Sequence, residues 1–252
     1  MTSSVLRQTA VVLAVIATIA VNGLANALPL NGQLTGEISD RFKVYFVPAG
    51  YVFSIWGLIY LGLILFAIYQ ALPAQRDNPH LSQIGYLFVF SCLANIVWLF
   101  LWHYERFPAT AVAMLALLAS LIAIYLRLGI GRAAVSTGER WLVQIPFSVY
   151  LGWVSVATIA NITDVLDYLK WDGWGIRPEL WAVIMLVAAA GITAAMIFTR
   201  GDMAFALVIL WAFAGIAIKQ SSASLVAYTA WVLVGVLVIT LLVNPILLAR
   251  RT

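Results

Sequence analysis

Eight long apolar runs, each close to the length needed to cross a lipid bilayer, dominate this chain of 252 residues. They cover roughly residues 9–29, 48–71, 82–103, 107–130, 141–164, 179–199, 203–218 and 224–248. Hydrophobic residues make up 64% of the chain and charged residues only 10%, whereas a soluble domain of this size needs far more charge at its surface. The runs are continuous, which favours helices over the alternating strands of a barrel. The sequence therefore predicts an all-α, polytopic membrane helical bundle.

The first run fits two interpretations. Arg7, the apolar stretch behind it and the Ala-Asn-Ala triplet at residues 25–27 together have the pattern of a secretory signal peptide. The apolar stretch nevertheless continues through Leu28 and Leu30, so it is long enough to span a bilayer. We therefore expect an uncleaved first membrane helix.

Charge in the loops indicates the orientation and the kind of partner. With eight spans the two termini lie on the same side of the membrane, where eight basic residues fall against six on the other side. The positive-inside rule then predicts cytoplasmic termini, in a protein that we expect in a bacterial inner membrane. The basic residues are scattered, so we expect the lipid bilayer and no nucleic acid as a partner. The single cysteine, Cys92, excludes an intrachain disulfide and gives no metal-ligand spacing.

Three of the runs carry aromatic and amide side chains at helical spacing. The three sets are Phe53, Trp56 and Tyr60; Asn95, Trp98 and Trp102; and Tyr150, Trp153, Ala157 and Asn161. Offsets of three, four and seven place each set on one face of its helix. Amide and indole groups inside a membrane are costly unless they meet a partner. We therefore predict that the three faces meet in one aromatic, weakly polar pocket.

The same residues resemble the motifs of a known family. The segment 150–161, with Tyr-Leu-Gly-Trp followed by Ala-Thr and Asn, resembles the fifth-helix signature YLxWxxxATxxN of the TspO/translocator proteins, also called tryptophan-rich sensory proteins or peripheral benzodiazepine receptors. Asn95 and Trp98 resemble the third-helix NxxW, and Pro48, Trp56 and Tyr60 resemble the second-helix P…WxxxY. Val47 stands where the family usually has a second proline, and Ser91 where it often has glutamine. The resemblance covers roughly residues 9–168.

The resemblance implies a TspO-like five-helix core that encloses a cavity for planar hydrophobic ligands. Tetrapyrroles such as porphyrin or haem are the usual ligands, with sterols as a further class, and the first loop acts as a lid. No cofactor is required. The polar stretch from Asn31 to Lys43 is long enough to fold over the bundle mouth. Indole faces stack on planar rings, and buried amides bond to their polar atoms. The implied ligand-binding residues are Phe53, Trp56, Tyr60, Asn95, Trp98, Tyr150, Trp153, Ala157 and Asn161.

Residues 1–172 are thus expected to form the five-helix domain, and residues 173–252 a C-terminal extension of about three membrane helices. The extension contains few polar groups, so we expect it to pack along the outside of the bundle. The small residues from Ala188 to Gly191 are expected to allow close helix approach. A second copy of the chain, in a homodimer, is considered as a partner beside the small planar ligand.

Three functions remain open at this point. A ligand-binding protein for sensing or transport agrees best with the aromatic faces. A porphyrin-degrading membrane enzyme and a secondary transporter of small lipophilic molecules are the alternatives. The chain has no GxSxG, HExxH, CxxC or Walker motif, so hydrolase, metalloprotease or nucleotide-driven chemistry is unsupported. We assign no catalytic residue and no metal site, and favour a binding protein over an enzyme.

Several other polar or aromatic residues have simpler explanations. Tryptophans near span ends are typical bilayer anchors, which we expect for Trp102, Trp141, Trp171 and Trp174. His103, at a span end beside Arg106, is expected to be an ordinary interfacial histidine. Asp164 and Asp167 are expected to be solvated carboxylates at the end of the fifth helix.

Overall fold

Eight long helices account for most of the residues that the structure describes. The structure is a computed structural model that describes residues 2–249, with side chains described for residues 4–243. The helices are α1 (Thr2–Ala27), α2 (Ile55–Ala71), α3 (Pro79–His103), α4 (Phe107–Arg127), α5 (Ile145–Tyr168), α6 (Pro178–Arg200), α7 (Met203–Lys219) and α8 (Ser224–Ala249). Seven spans are long and apolar enough to cross a membrane. The predicted all-α membrane bundle is confirmed, although α7 has only 17 residues, about 25 Å of helix.

Local sequence signals set the helix ends. α3 begins at Pro79, which needs no backbone donor there, and the Asn78 side chain accepts a hydrogen bond from the His80 N–H at 2.9 Å. Gly201 caps the C-terminal end of α6, and its φ of 62° lies in the left-handed region that glycine adopts without strain. Asp202 then caps α7 by accepting from the Phe205 N–H at 3.0 Å. These caps keep the turn between α6 and α7 to two residues.

The first five helices close into a ring. α1 packs on α2 and α3, α4 joins α3 to α5, and α5 closes the ring against α2. The order of the helices around the ring is therefore α1, α2, α5, α4, α3. The interior at the end opposite the first loop is filled by Phe66, Phe88 and Phe147, whose ring centroids lie 4.9 to 5.6 Å apart in edge-to-face contacts. This aromatic plug leaves the other half of the ring as the place where a cavity can form.

α5 occupies the centre of the molecule and carries a local irregularity. Pro146 cannot donate a backbone hydrogen bond, and a π-helical turn at Arg140–Gln144 precedes it. Gly62 of α2 lies against this proline, since a Cβ at Gly62 would be 3.1 Å from the Pro146 Cβ. The missing side chain thus lets α2 approach α5 closely beside the proline.

The C-terminal helices lie outside the ring. α7 packs on the outer face of α5, and both α6 and α8 pack on α7. Glycines permit this contact: a Cβ at Gly152 of α5 would lie 3.1 Å from the Val208 Cβ. The expected approach at Ala188–Gly191 is correct only in part. Ala189 and Ala190 are buried, whereas Ala188 and Gly191 face outward. The position of the extension agrees with the prediction, while independent folding of residues 1–172 stays a prediction.

Asp202 joins three helices at a buried junction. Its carboxylate oxygen Oδ2 accepts hydrogen bonds from the Tyr125 hydroxyl of α4 at 2.8 Å and the Ser148 hydroxyl of α5 at 2.7 Å. The side chain is only 6% exposed. One carboxylate therefore caps α7 and fixes it against two helices of the ring.

Replacement of Asp202 by alanine should destabilise the protein by about 2–4 kcal/mol, because two buried hydroxyls and a helix N-terminus lose their acceptor. Loss of helical circular dichroism on heating in detergent micelles measures the change. Asp77→Ala is the matched control, since Asp77 is an exposed loop aspartate. Equal melting of the two variants would contradict the role assigned to the junction.

The backbone contact at Gly215 of α7 generates a second prediction. The Ala49 N–H donates to the Gly215 carbonyl at 3.1 Å, and a Cβ at Gly215 would overlap Val52 Cγ2. Gly215→Ala should therefore displace the segment before α2 and cost about 1–3 kcal/mol of stability. Gly235→Ala in α8 should be neutral or slightly stabilising, because nothing lies within 4 Å of the added Cβ. Thermal unfolding of both variants in the same detergent provides the comparison.

Candidate functional site

An aromatic wall forms where α2 meets α5. Trp56 stacks on Tyr60 with ring centroids 5.5 Å apart, one helical turn away on the same face. The Trp56 ring also meets the edges of Trp153 at 6.3 Å and Tyr150 at 6.1 Å. Phe53 contacts Trp153 at 5.6 Å. Two of the three predicted faces therefore meet directly, with geometries that aromatic pairs favour.

The wall borders an outer chamber of about 330 Å³ that lies beneath the first loop. This volume is within the range of small-molecule sites. The chamber is lined by Asn22 and Asn26 of α1, Thr35, Gly36, Ser39, Asp40 and Gly50 of the first loop, Phe53, Trp56 and Tyr60, and Trp98 and Leu99 of α3. Residues of the predicted α2 and α3 faces therefore line this chamber. The α5 face contributes to the aromatic wall beside it through Trp153.

A smaller inner chamber of about 60 Å³ adjoins the first. Both chambers share Thr35, Ser39, Phe53, Trp56 and Trp98. The remaining lining of the inner chamber is Val47, Pro48, Trp102, Met114, Trp153, Val156, Ala157, Ala160, Asn161 and Asp164. The two spaces thus form adjacent parts of one aromatic site that runs from the first loop to α5.

Polar atoms without partners concentrate in the inner chamber. Among the side chains that the structure describes, five buried nitrogen or oxygen atoms lack a hydrogen-bond partner. Four of them belong to residues that line this chamber: Trp98 Nε1, Trp153 Nε1, Asn161 Oδ1 and Asp164 Oδ1. Buried polar groups are ordinarily bonded because leaving them unpaired is costly. Two N–H donors and two oxygen atoms of the residues around this chamber are therefore without a hydrogen-bond partner.

Two predicted site residues lie behind the wall and line neither chamber. The Asn95 amide donates to the Tyr150 hydroxyl at 3.3 Å and accepts from the Asn22 amide at 2.8 Å. Tyr150 is 2% exposed. Asn95 therefore ties α1, α3 and α5 together, which is a common use of amides in membrane bundles. The other seven, namely Phe53, Trp56, Tyr60, Trp98, Trp153, Ala157 and Asn161, line one or both chambers.

The first loop covers the chambers as a lid, here residues 30–41, which includes the short helix Thr35–Ser39. His103, at the end of α3, has its Nδ1 3.1 Å from the Leu30 carbonyl and its Nε2 3.0 Å from the Thr35 hydroxyl. The Trp102 indole donates to the Thr35 carbonyl at 3.2 Å. The predicted placement of the loop over the bundle mouth agrees with this arrangement.

An exposed ion pair holds the far end of the lid. Arg41 donates to the Glu105 carboxylate at 2.9 Å. This hydrogen bond lowers the pKa of Glu105 below its ordinary value, with the Gln33 amide adding to the effect. A depressed carboxyl pKa means that the pair persists above the ordinary carboxyl range and is lost only as the pH falls through the lowered value.

Three expectations for individual residues are wrong. Trp102, expected to anchor in the bilayer interface, is 3% exposed and stacks on Trp98 with centroids 5.6 Å apart. His103, expected to be an ordinary interfacial side chain, is fully buried against the lid. Asp164, expected to be solvated, is 3% exposed and lines the inner chamber, whereas Asp167 is exposed as predicted. All three residues lie near helix ends. The lid covers Trp102 and His103, and Val47 and Pro48 line the inner chamber together with Asp164. Hydropathy along the sequence does not reveal such cover by a loop.

The lid residues and the α1 amides were missed by the sequence analysis. Asn22 and Asn26 follow Thr18 at intervals of four, so a polar stripe on an otherwise apolar helix was the available signal. Thr35 and Ser39 share the same spacing within the loop. No comparable pattern indicates which side chains of a loop turn inward.

Metal binding receives no support from the described part of the chain, where no group of three His, Cys, Asp or Glu side chains is arranged to hold an ion. Both ring nitrogens of His103 contact the lid. In this arrangement the histidine holds the loop instead of facing the chamber.

The fold and the site define a class: a multi-pass helical membrane protein with a lidded, tryptophan-lined cavity inside a five-helix ring. The sequence matches the family described as TSPO-like protein over residues 8–243, and the chain belongs to that family. The match extends through α6 and α7 into α8, beyond the residues that carry the motif resemblance. No curated protein and no solved structure matches the chain significantly.

The lid contacts lead to a prediction for hydrogen exchange. His103→Ala removes two contacts to the lid, so amide exchange in Thr35–Ser39 should accelerate about tenfold, the size expected for one or two lost hydrogen bonds. Glu105→Gln, which weakens only the exposed contacts to Arg41 and Gln33, should change the same rates much less. Mass spectrometry of exchange in micelles gives both values. Unchanged exchange in His103→Ala would show that the histidine does not hold the lid.

Proposed function

We propose that this protein binds a planar, hydrophobic, tetrapyrrole-like ligand in the two chambers, for sensing or transport. The observation that carries the proposal is the group of four unpartnered polar atoms in an otherwise aromatic cavity. A ligand with a flat conjugated ring and both donor and acceptor atoms complements that surface. Indole faces stack on such a ring, while the indole N–H groups and the two oxygens bond to its polar atoms.

Charge around the chambers favours a particular orientation of the ligand. The residues that line them include Asp40 and Asp164 but no lysine or arginine among the side chains described. Ring N–H donors are therefore expected near Asn161 and Asp164. Acidic substituents such as propionates are expected to point to the mouth, toward Arg41 or Lys43, as the sequence also suggests.

The aromatic plug bears on the choice between sensing and transport. Phe66, Phe88 and Phe147 are each at most 1% exposed and fill the ring on the side away from the lid. A ligand in the chambers meets this plug instead of a continuous path across the bundle. This supports a receptor more directly than a carrier, since transport requires the plug to rearrange.

Orientation, location and assembly complete the proposal. The basic-residue bias puts the termini in the cytoplasm, so the lid and the chamber mouth would face the opposite side of a bacterial inner membrane. Degradation of a bound porphyrin, the alternative enzymatic function, and homodimer formation both stay predictions from the resemblance. A bound porphyrin whose absorbance bands decay in light and air only with the protein present would favour degradation over sensing.

The proposal is tested by titration with a neutral free-base porphyrin, followed by absorbance and tryptophan quenching. Trp153→Ala should weaken binding by about 1–3 kcal/mol, because a large buried aromatic contact is lost. Trp153→Phe retains a stacking face but no N–H, so its loss should be smaller. Trp141, which is 63% exposed in the π-helical turn before α5, provides the control: Trp141→Ala should leave the dissociation constant unchanged. Equal losses in Trp141→Ala and Trp153→Ala would remove the claim of a specific site.

A further inference from the structure

A third cavity lies outside the five-helix ring, between α5 and α6. It holds about 370 Å³, more than either chamber. The cavity exists because α6 packs on α7 and α8 and makes little direct contact with α5. Ile162 of α5 and Met185 of α6 face each other across the resulting cleft. Both helices are membrane spans, so the part of this outer cleft between them lies within the depth of the bilayer, while the connection at residues 171–178 lines the rest.

Aromatic side chains close the end of the outer cleft nearest the lid. Trp171 and Trp181 line it with ring centroids 5.3 Å apart, and the Trp181 indole donates to the Gly173 carbonyl at 2.9 Å. Tyr45 lines the opposite side. Trp171, which the sequence suggested as a simple anchor, is therefore half-buried in a cavity wall. The outer cleft offers a mainly apolar and aromatic surface, with Lys43, Asp167 and Asp172 also in its lining.

One short segment separates the outer cleft from the inner chamber. In the partition segment, residues 43–48, Lys43 to Phe46 line the outer cleft and Val47 and Pro48 line the inner chamber. α5 divides in the same way, with Ile159 and Ile162 outside and Ala160 and Asn161 inside. Consecutive residues of the partition segment and of α5 therefore line the two cavities.

Few side-chain bonds hold the partition segment from outside. The Tyr45 hydroxyl donates to the Glu179 carboxylate of α6 at 3.1 Å, and the Gln220 amide donates to the Val44 carbonyl at 3.3 Å. Burial, together with the hydrogen bond to Glu179 and its charge, raises the pKa of Tyr45, so the hydroxyl keeps its proton for this bond. The backbone bond from Ala49 to Gly215 fixes the end of the segment that leads into α2. The partition is therefore anchored at one end, held laterally by two polar contacts, and packed into the core through Phe46 and Val47, which are 1% and 2% exposed.

We propose that the outer cleft is the entrance from the bilayer for the same planar lipophilic ligand, which binds in the two chambers of the ring. The ligand rests against Tyr45, Trp171 and Trp181, then passes into the inner chamber when the partition segment moves away from α6. This inference depends on the proposed function. It assigns the C-terminal part of the chain a role, because α6 forms one side of the cleft, while Glu179 of α6 and Gln220, just after α7, supply the side chains that bond the partition.

The test measures rates of porphyrin exchange between lipid nanodiscs that contain the full-length protein and empty vesicles. Met185→Trp fills the outer cleft, and should slow association and dissociation equally, by about fivefold or more, with Kd within about twofold of wild type. Ile192→Trp is the matched control, since Ile192 lies on α6 and faces lipid with 60% exposure. Tyr45→Phe loses the bond to Glu179 but keeps the ring, so both rates should rise.

The outcomes separate this inference from the proposed function. Wild-type rates in both Met185→Trp and Tyr45→Phe, with porphyrin still bound, would overturn the entrance while leaving the chamber site intact. Absence of porphyrin binding by the wild-type protein would overturn both. Opposite shifts of the rates in the two variants, at a constant Kd, would support the entrance, because a destabilised fold does not speed one variant and slow the other.

Discussion

Inside a bilayer no water is available to satisfy a polar group, and this constraint organises the whole molecule. Asn95 is bonded on both sides of its amide, by Asn22 and Tyr150. Asp202 receives two hydroxyls and caps a helix. Against that background the unpartnered atoms of the inner chamber stand apart, because they are grouped in one place and not scattered through the bundle. Their grouping is what supports the proposed binding site over ordinary helix packing.

The number and type of the helices could be predicted from sequence because hydropathy measures the property that the bilayer selects. The aromatic faces could be predicted because helical spacing fixes which side chains share a side, and Trp56 and Trp153 do meet. The hydrogen-bond partners between helices could not be predicted, because spacing within one helix does not show which residues of a neighbouring helix it meets. Asn95 was therefore assigned to the pocket, whereas α1 supplies an amide that uses its acceptor.

Loop cover was the other limit. Trp102 and His103 lie at a helix end, where a tryptophan or histidine usually meets the interface. The lid folds back on this helix end and buries both. Asp164 was misjudged for the same reason, since the segment with Val47 and Pro48 shields it from solvent in the inner chamber. The spacing of Thr35 and Ser39 indicates one helical turn, but it does not fix the path of the rest of the loop.

The position of α5 has a consequence for biogenesis. Its inner face carries the site residues, and its outer face at Gly152 is shaped to receive Val208 of α7, which is translated later. Until α7 leaves the ribosome and enters the membrane, lipid must occupy that outer face. The Pro48–Val52 segment likewise waits for Gly215 before it can settle. The two chambers are built almost entirely from the first two thirds of the chain. Their walls nevertheless reach their final positions only near the end of synthesis.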